Sequence, residues 1–291
     1  MKSIKYIFST GCLLLVASTI MAQSDFGVWS SIEASTKLNK QLELSLEGEY
    51  RTQDNSTQTE RIATGISLSY KSKKVPFLKV DIGYSTMSMY GLGETTIKYR
   101  TDDNGEYELK EDGSFIPKHI NVDSPYWYTR HRATASLTGS FKWGRFKFSL
   151  RERYQFTHRM RSYCNRVRWY YDSFHEMFPE DIPEYYINDD PESDNYSYMF
   201  DEKKSKSDHK LRSRLAVSYD IKKCPFEPFA EVEVYNELDN AFAYNKVRYT
   251  IGTDYKINKE HKLKLYYRFQ DYADIDEVSG HVLGLGYAFE F

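Results

Sequence analysis

Eleven stretches of this chain alternate apolar and polar residues at period two, and no window holds a sustained 3.6-residue apolar period. Alternation of this kind sends successive side chains to opposite faces of a pleated strand. The stretches run approximately over 26–36, 41–52, 58–71, 77–89, 126–141, 144–159, 207–221, 227–238, 243–257, 262–272 and 278–291. Each is long enough to cross a bilayer as a tilted strand of about 9–11 residues. In 41–52, Leu42, Leu44, Leu46, Gly48 and Tyr50 share one face, against Glu43, Ser45, Glu47, Glu49 and Arg51. In 207–221, Leu211, Leu215, Val217, Tyr219 and Ile221 stand against Arg212, Arg214, Ser218 and Asp220. Glu152 is the one awkward residue of 144–159, since it shares the parity of Phe146, Phe148 and Leu150. The pattern predicts an all-β chain.

An all-β chain can bury its apolar faces against each other in a sandwich, or turn them to lipid around a polar lumen. Connection lengths separate the two. Short links at 37–40, 72–76, 142–144, 222–225 and 258–261 alternate with links at 53–57, 90–125, 160–206, 239–242 and 273–277. Bacterial barrels have short periplasmic turns and longer extracellular loops, whereas a secreted sandwich has no need of the alternation. Aromatics make up 16% of the chain and charged residues 28%, with a mean hydropathy of −0.68. A barrel has this profile because only alternate residues need be apolar. The expected fold is a single antiparallel transmembrane β-barrel of 10–12 strands, with short periplasmic turns and long extracellular loops. Eleven segments conflict with the usual even strand number. Either 26–36 threads or closes a ten-stranded wall, or a twelfth strand exists.

The two ends of the chain agree with this reading. Residues 1–22 carry Lys2 and Lys5, an apolar stretch and small residues up to Ala22, which predicts a secretory signal peptide ahead of a barrel domain at 23–291. At the other end Leu283, Leu285, Tyr287, Phe289 and Phe291 fall on one face. This ending resembles the C-terminal strand of Gram-negative outer-membrane barrels, which implies that Tyr287, Phe289 and Phe291 are an assembly signal. Asp25-Phe-Gly-Val-Trp29, Lys37-Leu-Asn-Lys40 and the strand ending Glu49-Tyr50-Arg51 resemble an outer-membrane β-barrel family of unknown function, the twenty-four-ninety type. The resemblance implies a bacterial outer-membrane location and architecture, and brings no catalytic residues. The expected partners are outer-membrane lipid and lipopolysaccharide, the barrel-assembly machinery and a small anionic solute. The formal net charge of −2 gives no argument for nucleic acid.

Charge crowds the inward parity. Arg130, Arg132, Arg151, Arg153, Arg212 and Arg214 are followed by Glu231 and Glu233, then by Arg248 and Arg268. Lys147, Lys246 and Lys264 share that parity, with Glu43, Glu47 and Glu49 near the start and Glu290 at the end. Buried charges must be paired or solvated. One reading is a salt-bridge network filling the interior, favoured because acids and bases come in blocks of both signs. The other is an anion-binding ladder, since arginines grip carboxylate or phosphate bidentately. A wide pore of the 16–18-stranded kind does not fit this strand number.

No cofactor, metal site or catalytic residue is expected: no Cys/His metal spacing, phosphate loop or nucleophile elbow occurs. His131, His158 and His281 read as rim or interfacial histidines; His158, Asp271 and Asp274 are enzyme candidates by height alone. The link 160–206, with Trp169, Tyr170, Tyr171, Phe174, Phe178, Tyr185, Tyr186, Tyr196 and Tyr198 beside Asp189, Asp190, Glu192 and Asp194, is expected to pack on itself. Cys164 and Cys224 should lie at opposite ends of the barrel, too far apart for a disulfide. The first functional reading is a narrow channel or small-solute transport protein. A structural or surface-binding barrel comes second and an outer-membrane enzyme third.

Overall fold

The computed structural model describes residues 25–170, 196–273 and 280–291. The expected signal peptide at 1–22 and most of the aromatic and acidic part of 160–206 lie outside the described residues. Asp274 does too. All regular elements among the described residues are strands. In chain order they are β1 (Asp25–Lys37), β2 (Leu42–Gln53), β3 (Gln58–Lys71), β4 (Leu78–Gly91), β5 (Glu94–Tyr99) and β6 (Pro117–Asp123). There follow β7 (Tyr126–Trp143), β8 (Phe146–Arg159), β9 (Ser162–Tyr170), β10 (Tyr196–Lys203) and β11 (Lys206–Tyr219). The last four are β12 (Phe226–Glu237), β13 (Ala243–Lys256), β14 (His261–Tyr272) and β15 (Gly280–Glu290).

Eleven of these strands close into one barrel, in the order β1-β15-β14-β13-β12-β11-β8-β7-β4-β3-β2. They coincide with the eleven alternating stretches of the sequence. The barrel is not antiparallel throughout, which corrects the expected fold at one seam. β1 pairs with β15 in parallel, Trp29 opposite Gly284 and Ser31 opposite Gly286. The cause is arithmetic: in an up-and-down wall with an odd number of strands, the first and last run in the same direction. The segment 26–36 is therefore an ordinary wall strand, paired on its other edge with β2, and the count is eleven.

The wall is inside-out relative to a soluble core. Leu46, Ile66, Ile82, Leu150, Ile251 and Leu285 are exposed on its outer face, while Arg51, Arg61, Gln155, Thr250 and Glu233 are buried within. An exposed apolar surface of this extent needs an apolar environment to cover it. Glu152 keeps its outward parity, and Ser213 on the neighbouring strand donates to its Oε2 at 2.6 Å. Turn chemistry is local. Asp54, Asn55 and Ser56 all take positive φ between β2 and β3, and Thr57 Oγ1 donates back to Asp54 at 2.6 Å. The amide of Asn55 donates to Asp25 Oδ1 at 2.8 Å, which fastens this turn to the start of β1.

The link 90–125, expected as a loop from its sequence, carries two strands. β5 and β6 join β9 and β10, from the 160–206 link, in a separate four-stranded sheet ordered β10-β9-β6-β5. The described residues of Tyr90–Tyr128 and Met160–Ser205 form a compact unit of their own. Its centre is Ile120 against Trp169, flanked by Val122 and Val167. On the opposite face of the sheet Asp123 is buried and accepts two hydrogen bonds from Arg166, at 2.5 and 2.9 Å, and one from Lys203. Burial raises the pKa of this carboxyl, but Arg166 and Lys203 outweigh it and hold it below the usual range. Cys164 is buried on β9 and Cys224 lies in the link after β11; both are free thiols.

Candidate functional site in the lumen

The inner face of the barrel carries a belt of arginines that arises strand by strand from period-two parity. Register sets it level across the wall: Arg51 opposite Arg61, Arg153 opposite Arg212, Arg151 opposite Arg214, and Arg214 opposite Glu233. Glu233 in turn faces Arg248, and Thr250 faces Arg268. The register slips by one residue after Arg51 and after Tyr235, and such bulges re-aim the side chains beside them.

Two glutamates anchor the belt. Glu233, 6% exposed, accepts from Arg151 at 2.6 Å, from Arg212 at 2.8 Å and from the Tyr235 hydroxyl at 2.8 Å. Arg248 lies 4.0 Å from the same carboxylate and also donates to the Tyr235 oxygen. Across the lumen Glu49 accepts from Arg51 at 2.5 Å and Arg61 at 2.6 Å. A third carboxylate, Glu231, takes Arg214 at 3.3 Å. Other guanidinium N–H groups go to neutral oxygens. Arg153 donates to Ser136 at 2.8 Å, Arg268 to Thr250 at 2.9 Å and Arg248 to Gln270 at 2.7 Å.

Aromatic rings take up more of the cationic charge. Trp29 is 4% exposed, with the Arg51 guanidinium 3.3 Å from its ring and those of Arg268 and Arg248 at 5.1 and 5.2 Å. Tyr235 carries Arg212 at 4.6 Å and Arg248 at 4.8 Å. Cation–π contact is strongest where water is excluded. The belt as a whole sets nine arginines (51, 61, 132, 151, 153, 212, 214, 248 and 268) against Glu49, Glu231 and Glu233, with Glu47 and Glu60 also bearing on Arg51, so arginine outnumbers glutamate. Below it the signs mix. Glu33 faces Glu47, and Glu43 faces Lys37.

Of the residues singled out in the sequence, Arg132, Arg151, Arg153, Arg212, Arg214, Glu231, Glu233, Arg248 and Arg268 all lie in or against this belt. Arg130 does not join it; it pairs in register with Arg159, further along β7. Glu49, already counted among the inward charges, joins the belt together with Arg51, Arg61, Trp29 and Tyr235, which were not singled out as site residues. Their inward parity was readable in the sequence, but their partners across the lumen were not. Tyr287, Phe289 and Phe291 sit on or just after β15: Tyr287 bonds His261 at 2.6 Å, and Phe291 packs edge-on against Phe289 at 4.3 Å.

Five histidines face outward from the barrel, each bonded to a hydroxyl on the neighbouring strand. Tyr84 pairs with His131, Tyr154 with His209 and Tyr287 with His261, each at 2.6 Å, and Tyr267 pairs with His281. The fifth pair is His158 with Ser207, at 2.9 Å. In the separate sheet, Asp123, Cys164 and Asp201 offer three ligand atoms within 4.8 Å of one another. Arg166 and Lys203 bind both carboxylates there, so cations already fill the place that a metal ion would take.

A model of the family described as protein of unknown function (DUF2490) matches residues 26–277. No curated protein matches the chain. Among solved structures, the β domain of the Bordetella autotransporter Brka is similar at a TM-score of 0.43 and 9% identity, over 86% of this chain and 82% of that one. The anion-selective porin from Comamonas acidovorans is similar at a TM-score of 0.22 and 11% identity, over 88% and 83%.

Proposed function

The chain belongs to the DUF2490 family, and we propose that it is an outer-membrane β-barrel whose lumen is a narrow path for small anionic solutes. The inside-out distribution of side chains supports the membrane part. Large apolar residues are exposed around the outer wall, while arginine and glutamate are buried within it. A hydrocarbon layer satisfies the first and a polar lumen the second. Orientation follows from the turns. With the short links at the periplasmic face, β1 begins at the outer face and runs inward alongside β15.

The observation that carries the anion reading is the excess of arginine over glutamate in the belt. A purely structural network would balance its charges, because each unpaired buried charge is costly. An unbalanced ring instead attracts counter-ions and raises their local concentration. Eleven strands enclose a lumen between the side-chain-filled 8-stranded barrel and the open 16-stranded porin. Planar-bilayer recording on the refolded barrel tests this reading. Discrete steps whose reversal potential in a salt gradient lies toward the anion potential support it; steps with cation preference, or none from a folded barrel, refute it.

A surface-binding role has one specific observation in its favour. Phe200 is 81% exposed on β10, with Tyr163, Tyr170 and Tyr198 exposed on the same sheet. Exposed aromatics rimmed by polar residues mark binding surfaces.

A further inference from the structure

Within the belt, guanidinium donors outnumber the oxygens placed to receive them. Three pairs of arginines stand directly opposite each other on neighbouring strands: Arg51 with Arg61, Arg153 with Arg212, and Arg151 with Arg214. Like charges in that position repel. Arg51, Arg132, Arg151, Arg212 and Arg214 each keep a buried Nε with no acceptor among the described residues. Arg61 turns its Nη1 to the thioether of Met87, 3.8 Å away, a poor acceptor for a charged donor.

Arg132 is the extreme case. Among the described residues no carboxylate pairs with it and its buried Nε has no acceptor, and the side-chain charges that bear on it most are those of Arg61, Arg212 and Arg51. These four residues come from β7, β3, β11 and β2. Guanidinium groups from four strands on the inner wall, with buried Nε donors left over, make up the donor half of an anion site.

We propose that Arg132, with Arg61, Arg51 and Arg212, forms a binding seat for a small doubly charged oxyanion of the phosphate type; the inference rests on the anion-admitting lumen proposed above. The N–H donors left over beyond those given to Glu49, Glu233 and Gln155 can match several oxygens of one ligand at once, which a halide cannot use. Donors arriving from four strands suit a tetrahedral ligand better than a planar carboxylate. A dianion also offsets two units of the unbalanced charge, where chloride offsets one. The same chemistry serves free phosphate or a phosphoryl group on a larger solute.

Trp29 is a built-in reporter, since its buried ring lies 3.3 Å from the Arg51 guanidinium. The test uses the full mature chain refolded in detergent, with Trp127, Trp143 and Trp169 changed to Phe. Trp29 emission is followed as inorganic phosphate replaces chloride at constant ionic strength. A saturable change is expected, with phosphate favoured over chloride. Arg132→Gln should weaken it roughly 10- to 100-fold, Arg132→Lys should recover part of it, and Lys147→Gln should leave it unchanged. Equal response to chloride, or equal affinity in Arg132→Gln, overturns the seat. Equilibrium dialysis with labelled phosphate covers a silent tryptophan: about one ion per folded barrel supports the seat, and none overturns it. Replacing phosphate with glycerol 3-phosphate distinguishes a free ion from a phosphoryl group on a larger solute. Phosphate binding without conductance keeps the seat and removes the passage; anion conductance without phosphate binding does the reverse.

Discussion

Tyr266 lies flat across Gly284, so that a Cβ added to the glycine would meet the Tyr266 Cζ at 1.9 Å. The two are register partners on β14 and β15. Gly284 also faces Trp29 across the parallel seam. Only a residue without a side chain lets the tyrosine ring cover the lumen wall here.

Gly284→Ala therefore forces Tyr266 out of its place beside Arg268 and Lys264. Overpacking of this kind costs about 1–3 kcal/mol. A lower urea midpoint for the refolded barrel, read from heat-modifiable gel migration, is the expected outcome. Gly284→Ala combined with Tyr266→Ala should recover much of the loss, since the second change removes the clash.

The parallel seam predicts a specific cross-link. A Cβ on Gly286 would lie 3.2 Å from the Ser31 Oγ, and the two residues are register partners. Ser31→Cys with Gly286→Cys should form a disulfide in the folded barrel under mild oxidant. Ser31→Cys with Leu283→Cys should not, because Leu283 faces the opposite side of the strand. A ten-stranded wall with β1 outside it would give no preference between the two.

Glu233 is the acceptor for Arg151, Arg212 and the Tyr235 hydroxyl. Glu233→Gln leaves buried cations uncompensated, a change that costs about 3–5 kcal/mol when one partner of a buried pair is removed. Chemical denaturation should show the loss, and high phosphate should recover part of it if anions bind beside these arginines. A stability equal to the parent at low ionic strength would mean the belt is hydrated enough to need no internal counter-charge.

The separate sheet should be acid-sensitive around Asp123. Its carboxyl is depressed in the folded state, so its stabilising contribution is complete above the ordinary aspartate range near pH 4. That contribution is lost as pH falls through the lower folded value. Amide protection in β6, β9 and β10 should hold from neutrality to about pH 5 and fall below about pH 4. The buried Cys164 thiol, whose pKa burial raises, should become accessible to an acid-tolerant disulfide reagent over the same interval. Asp123→Asn should remove the acid step and lower protection at pH 7.

The strand content of the wall was legible residue by residue. Pleating is a local rule, so parity in 41–52 or 207–221 already assigned Leu46 and Leu215 outward and Glu49 and Arg212 inward. Strand content in the long links was harder to see. β5, β6, β9 and β10 are short, and their pairing joins residues from two separate links, as Asn121 with Arg168.

Closure and convergence belong to the tertiary structure. The direction in which β1 meets β15 depends on the number of strands between them, which is a property of the whole ring. The same holds for the belt. Along the chain Arg132, Arg212 and Arg51 are separated by long intervals in which acids balance bases. Closure of the wall then gathers arginines from distant strands around a smaller number of glutamates. A period-two pattern decides which way each side chain points. What it meets there is decided by strands that are distant in the chain.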